Sequence, residues 1–242
     1  MKRILIALFT ISCSLFTAQA QSDDFGLDFS LEAQKKLSQK WSLSLEGELR
    51  TRDNAKTNDR WSAGLGVDYK VAKWLKASAG YTLLYDNNER LNSSGKKYAN
   101  YWGTRHRFNF SLTASQRVGD FKLSLRERWQ YTYRPEKTVQ RYYVSDGSEA
   151  DEHTYGGRGK NVLRSRLQVA YDKKNLALTP YANVEFFNAW SLQKTRLNVG
   201  VDWDITKQHT VGAFYRYQTV RSDDDDLESD RHMIGVSYKF KF

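Results

Sequence analysis

The stretch Trp41-Ser42-Leu43-Ser44-Leu45-Glu46-Gly47-Glu48-Leu49-Arg50 alternates without a break. Its odd positions are Trp41, Leu43, Leu45, Gly47 and Leu49, and its even positions are Ser42, Ser44, Glu46, Glu48 and Arg50. Successive side chains of a β-strand leave on opposite faces, so a period of two gives one strand an apolar face and a polar face. The same pattern returns downstream. It covers Trp61 to Lys70, Leu75 to Leu83, Arg107 to Ala114, Phe121 to Tyr131, Leu163 to Tyr171, Leu176 to Phe186, Arg196 to Trp203, Thr210 to Tyr217 and Ile234 to Phe242. That makes ten segments, and an eleventh, Phe25 to Glu32, precedes them.

The connections alternate in length. Short turns fall near Ser38 to Lys40, Ala72-Lys73, Gly119-Asp120, Lys173 to Asn175 and Thr206 to Gln208. Longer polar loops fall near Asp53 to Asp59, Asp86 to Asn100, Pro135 to Lys160 and Ser222 to Asp230. Short periplasmic turns and long external loops characterise outer-membrane barrels. A soluble β-sandwich also alternates polar with apolar residues. Three features favour the barrel: segments long enough to cross a bilayer in roughly 9–11 tilted residues, aromatics near strand ends, and the long-short rhythm. The expected fold is all-β, an antiparallel transmembrane β-barrel of ten to twelve strands. Parity creates a difficulty, because eleven strands put the Phe25 segment and the last segment in the same direction, whereas bacterial single-chain barrels have even counts. Twelve is therefore the preferred number, with the missing strand sought in Pro135 to Lys160; otherwise the Phe25 segment is not an ordinary wall strand.

The ends agree with this class. Met1-Lys2-Arg3 precedes an apolar run from Ile4 to Phe16 and then Thr17-Ala18-Gln19-Ala20, the pattern of a cleaved secretory signal. Residues 1–20 are read as that signal and 21–242 as the barrel. Lys2 and Arg3 leave with the signal, so 36 basic and 28 acidic residues remain, a net charge of about +8. The one cysteine, Cys13, lies inside the signal, so no disulfide is expected. An aromatic share of 14% with a mean hydropathy of −0.72 fits a wall with one face in lipid and one in water. The last segment, with Tyr238, Phe240 and Phe242 on one face, reads as the assembly signal of an exported barrel.

The chain resembles the uncharacterised outer-membrane barrels grouped as domain of unknown function family 2490, common in Bacteroidota. The carrying residues are Lys40 to Arg50, Asp59-Arg60-Trp61, Lys73 to Lys76 with Gly80-Tyr81, Arg105 to Phe108, and Leu125 to Arg128 with Gln130-Tyr131. The resemblance implies a Gram-negative outer-membrane barrel and carries over no activity, substrate or catalytic residue.

If the polar faces line the lumen, Arg50, Arg105, Arg107, Arg126, Arg128, Arg164, Arg166, Arg196 and Arg216 point inward with Glu46, Glu48, Asp68, Glu185 and Asp202. Guanidinium groups bind carboxylates and phosphates through paired hydrogen bonds, and arginine rings favour anions in pores. Two readings follow: a porin-like narrow channel or binding barrel for anionic solutes, or a lumen plugged by ion pairs. Glu127 falls on the lipid face in mid-strand, which a bulge or a neighbouring chain would relieve. The competing class is a lipid-modifying or lipid-cleaving enzyme, for which His106 with a nearby serine is the best candidate among the four histidines, although its parity makes it a wall residue near the outer boundary. The run Asp223 to Asp226 with Glu228 and Asp230 reads as a solvated acidic loop. No cofactor, metal or nucleic acid is expected. The expected partners are outer-membrane lipid, lipopolysaccharide and the barrel-assembly machinery, and the oligomeric state stays open. If the last strand is the assembly signal, Phe242→Ala lowers the amount of inserted protein in the outer-membrane fraction; unimpaired insertion would contradict that reading.

Overall fold

The computed structural model describes residues 24–174, 176–221 and 229–242. The signal segment and the acidic run Asp223 to Asp226 with Glu228 lie outside the described residues. Among the described residues thirteen strands follow one another: β1 (Asp24–Lys36), β2 (Trp41–Arg52), β3 (Thr57–Lys70), β4 (Leu75–Leu91), β5 (Lys97–Val118), β6 (Phe121–Arg134), β7 (Lys137–Tyr143), β8 (Glu149–Tyr155), β9 (Arg158–Tyr171), β10 (Leu178–Asn188), β11 (Leu192–Asp204), β12 (His209–Val220) and β13 (Arg231–Lys241). Eleven close into a barrel in the order β1-β2-β3-β4-β5-β6-β9-β10-β11-β12-β13, and β13 returns to β1. These are the eleven alternating segments of the sequence. The preference for twelve is thereby corrected. Pro135 to Lys160 does hold two further strands, but β7 and β8 form a hairpin that leaves the ring and touches it through Lys97 opposite Tyr143 and Tyr98 opposite Tyr142.

An odd ring of antiparallel neighbours must close on one parallel pair, and β1 with β13 is that pair. It runs in register from Asp24 opposite Arg231 to Gln34 opposite Lys241, while β1 keeps an ordinary antiparallel partner in β2. The Phe25 segment is thus a full wall strand. Side chains reinforce both ends of the seam. Arg231 reaches Asp24 of β1 at 2.8 Å and Asp59 of β3 at 2.9 Å. Near the other end, Lys239 reaches Glu32 at 2.7 Å. The Phe242 amide donates to the Gln34 carbonyl at 2.9 Å, and the Lys36 amide to the Phe242 carbonyl at 3.0 Å.

The wall is apolar outside and polar inside. Leu31, Leu45, Leu65, Phe108, Leu125, Leu167, Leu197 and Ile234 stand exposed on the outer face. Among the fully or nearly buried side chains are Asp28, Arg60, Asp86, Gln130, Glu185, Arg196, Asn198 and Gln218. Such an inverted pattern suits a barrel solvated by hydrocarbon. β4 and β5 run to 17 and 22 residues, well past the roughly 9–11 that cross a bilayer. The extra length lies at the rim of the long connections, here the upper rim, and carries the β7–β8 hairpin. There Asp151 accepts from Lys97 at 2.6 Å and from Arg141, which hold its carboxyl well below the usual carboxylate range.

One lumen row shows how tightly wall and filling fit. Phe214 of β12 lies between Gly200 and Gly235 in the register, and its ring covers Gly235, where an added Cβ would sit 2.1 Å from Cζ. Arg216 lies over the same ring, 4.8 Å from its centre. Gly235→Ala must displace the ring and should cost about 1–3 kcal/mol as an overpacked site. A lowered urea midpoint for the inserted barrel checks this, with Gly156→Ala, whose Cβ would meet open space, as the silent control; equal midpoints would contradict it.

Candidate functional site: the lumen

The even positions of β2, β6, β9, β11 and β12 and the odd positions of β5 and β10 turn inward, so each strand contributes charge in alternation. Two cavities lie in the lumen. The lower, toward the short turns, is about 620 Å³ and mixed in charge: Glu32, Glu46, Glu48, Asp68 and Asp202 face Lys76, Arg126, Arg128, Arg166 and Lys239. The upper is about 180 Å³ and is lined by Arg50, Arg60, Arg105, Arg107, Arg134, Arg158, Lys160, Arg164, Lys194, Arg196 and Arg216. Among the described residues lining it there is no aspartate or glutamate. Arg50, Arg107, Gln130 and Arg164 line both cavities.

A belt of ion pairs fills the level between them. Asp28, 2% exposed, accepts from Arg216 at 2.8 Å and lies 3.3 Å from Arg50, which also pairs with Glu48. Glu185 accepts from Arg126 at 2.9 Å and Arg164 at 2.5 Å, with Arg166 at 4.0 Å. Asp86 pairs with Arg60 and lies 3.1 Å from Arg105. Bringing each of these charges out of water costs several kcal/mol, so they persist only because each carboxylate meets guanidinium groups. Asp86 is shared by two arginines and Glu185 by three. Neutral acceptors orient others: Arg196 donates to Gln218 at 2.7 Å, Arg216 to Asn198 at 2.7 Å, and Arg107 to Thr132 at 3.3 Å.

Phe187 of β10 is an apolar side chain at a lumen position and is buried. Three cations sit over its ring: Arg164 at 4.8 Å, Lys194 at 4.6 Å and Arg196 at 4.9 Å. A cation over an aromatic face gains roughly 0.5–2 kcal/mol, more when water is excluded.

The structure places all nine arginines singled out from the sequence on the lumen face. Arg126, Arg128 and Arg166 line the lower cavity, Arg105, Arg196 and Arg216 the upper, and Arg50, Arg107 and Arg164 both. Sequence reading did not single out Asp28, Asp86, Arg60, Arg134, Arg158, Lys160, Lys194 or Phe187. Asp28 and Phe187 were marked only by parity, and Asp86, Arg134, Arg158 and Lys160 fell in or beside stretches read as loops. Of the acids expected to plug the lumen, Glu48 and Glu185 join the belt, whereas Glu46 and Asp202 line the lower cavity.

One other expectation is corrected, and the reading of His106 as a wall residue holds. The register of β6 runs unbroken through Glu127 on both sides, so no bulge relieves it. Its Oε2 instead accepts from the Ser165 hydroxyl of β9 at 2.6 Å. His106 lies on the outer face beside Leu83 and Tyr133 and shares a hydrogen bond with the Tyr81 hydroxyl at 2.8 Å, so no serine–histidine pair is built there. Tyr238, Phe240 and Phe242 form one outer-face row, with His209 sharing a hydrogen bond with Tyr238 at 2.7 Å and the Phe240 and Phe242 rings 5.2 Å apart. Among the described residues no group of three or more His, Cys, Asp or Glu side chains is arranged to hold a metal ion.

Breaking the belt at its most shared carboxylate should be severe. Glu185→Ala leaves Arg126, Arg164 and Arg166 facing one another and should cost about 3–5 kcal/mol, as for other broken buried pairs. The urea midpoint of the inserted barrel measures it, and a midpoint within error of wild type would contradict the belt's role.

The family model described as "Protein of unknown function (DUF2490)" matches residues 25–228. No curated protein matches. Among solved structures, the translocator domain of the autotransporter NalP from Neisseria meningitidis is similar, with a TM-score of 0.53 and 14% identity over 77% of this chain and 72% of that one. The β domain of the Bordetella autotransporter BrkA covers 85% of this chain and 83% of its own at 15% identity, with a TM-score of 0.48. The first likeness is one of fold, an outer-membrane-type β-barrel.

Proposed function

This chain belongs to the DUF2490 family, described as proteins of unknown function, and from that premise we propose that it is a non-enzymatic barrel of the outer membrane whose arginine-rich lumen handles anionic solutes. In this reading residues 1–20 direct export, the assembly machinery reads the row Tyr238, Phe240 and Phe242, and lipid with lipopolysaccharide surrounds the outer face. The upper rim, with its long connections and β7–β8 hairpin, faces the outside. The observation that carries the reading is the lumen lining itself, in which nine arginines and two lysines face the upper cavity.

Fixed cations in a narrow, low-dielectric passage raise the local concentration of anions and repel cations. The belt below the cavity narrows the passage, so conductance is low while selectivity is high. Solutes enter at the basic upper end and meet the mixed charge of the lower cavity beyond the belt. The lipid-cleaving alternative draws no support from His106, which lies on the outer face.

Purified protein in planar bilayers under a salt gradient tests the proposal. The expected result is a small current whose reversal potential marks anion preference, weakened in Arg164→Ala. A cation-selective current, or a reversal potential unchanged in Arg126→Ala and Arg164→Ala, would overturn it.

A further inference from the structure

We infer that the β7–β8 hairpin is a hinged lid at the upper mouth of the lumen, resting against the inner side of the rim and swinging on two short joints to admit solute to the upper cavity. The inference goes beyond the anion-handling reading and does not depend on it, since a lid controls access for any polar solute.

The hinge follows from the chain path. Wall strands β6 and β9 stay paired to the rim, where Arg134 stands opposite Arg158. The hairpin leaves between them through Pro135-Glu136 and returns through Gly156-Gly157, two residues each way, and neither joint belongs to a strand. On one side of the joints lies the β6–β9 ladder, and on the other the β7–β8 ladder with a single bulge between Gln140 and Tyr142. Hinges are such short segments, placed between rigid elements, that absorb the change in φ and ψ. The two joints pass close together. An added Cβ at Gly157 would sit 3.1 Å from the Tyr133 hydroxyl and 3.5 Å from the Glu136 nitrogen and the Arg134 carbonyl.

The resting place is the lumen face of the rim. Arg90 continues the inward row of Leu84 and Asp86 on β4, and Tyr101 continues that of Arg105 and Arg107 on β5. Tyr155, the last residue of β8, stacks on Tyr101 with ring centres 5.6 Å apart, and Arg90 lies 4.9 Å from the centre of the Tyr155 ring. The returning strand therefore lies inside the rim, and Ala99, the register partner of Arg90, is completely buried. The root borders the upper cavity, because Arg105 and Arg134 line both that cavity and a smaller one of about 80 Å³ beside the joints. The far end is held lightly. It has two register pairs with β5, Lys97 with Tyr143 and Tyr98 with Tyr142, and a half-exposed Asp151 that accepts from Lys97 at 2.6 Å. Exposed ion pairs are weak and are screened by salt, so this clasp can open while the wall stays closed.

Labelling of lumen cysteines in the purified full-length barrel in detergent tests this. Val162→Cys puts a thiol in the lining of the upper cavity, and Thr210→Cys puts one in that of the lower. A neutral methanethiosulfonate reagent is added, and modification is followed site by site by peptide mass. Tyr98→Cys with Tyr142→Cys joins the register pair between β5 and β7. Oxidised, this lock should slow labelling at Val162→Cys about tenfold and leave Thr210→Cys unchanged, and reduction should restore the rate. Without the lock, Asp151→Asn should speed labelling at Val162→Cys about two- to fivefold, as for the loss of one exposed ion pair. Raising the salt from about 0.01 M to about 1 M, which shortens the screening length about tenfold, should speed labelling with Asp151 present and have little effect in Asp151→Asn. Equal rates in the locked and reduced barrel, or a wild-type rate in Asp151→Asn at low salt, would overturn the lid. Because the reagent is neutral, a lock effect in a barrel without anion-selective current leaves the lid standing while the channel reading falls. Anion-selective current with no lock effect does the reverse.

Discussion

Every backbone N–H and C=O that faces hydrocarbon must find a partner within the protein, since each one left unmet costs several kcal/mol. For a sheet, that requirement means closure, because only a closed ring has no edge. In this barrel closure depends on β1 and β13. Eleven wall strands make the closing pair parallel, a geometry slightly weaker per residue than the antiparallel one. Arg231 with Asp24 and Asp59 at one end, and Lys239 with Glu32 at the other, add charge-assisted contacts where the seam needs support.

Closure with an apolar outside leaves the lumen to receive the polar half of every strand. A barrel this narrow has little spare bore, so side chains of opposite sign meet across it and form the belt of Asp28, Glu48, Glu185 and their arginines. The same geometry that seals the wall therefore creates the constriction. Above it the balance of charge changes, because the strands that continue past the bilayer bring arginine and lysine to the lumen at positions such as Arg134, Arg158, Lys160 and Lys194. The anion-handling interior is in this sense a by-product of how long the strands are as well as of how they alternate.

The wall was legible because its outer face is apolar and its lumen face polar, and period-two alternation records that difference directly. The Trp41 to Arg50 segment and its ten relatives all became wall strands, and the lumen arginines followed from their parity. The upper parts of β4, β5 and β9 were not legible. Toward the upper rim the outward positions turn polar, as at Asn87 beside Asp86 and Asn161 beside Lys160, so these stretches carry no hydrophobic alternation and read as loops. Phe187 was hidden for the opposite reason: it is apolar on a polar face, where alternation gives no cause to expect an aromatic platform for cations. The strand count was misjudged because an even-number rule was applied to a chain whose first segment pairs in parallel.

The parallel seam is the claim from which the rest follows, and cross-linking measures it directly. The only native cysteine is Cys13, so paired cysteines introduced in the barrel report on their own positions. Ser30→Cys with Ser237→Cys joins residues opposite each other across the seam, and Ser42→Cys with Asp68→Cys joins β2 to β3 as a reference pair. In outer-membrane fractions the account predicts efficient disulfide formation for both pairs and none for Ser30→Cys with Lys241→Cys. Cross-linking of the reference pair without the Ser30–Ser237 pair would contradict an eleven-stranded ring closed by β1 and β13.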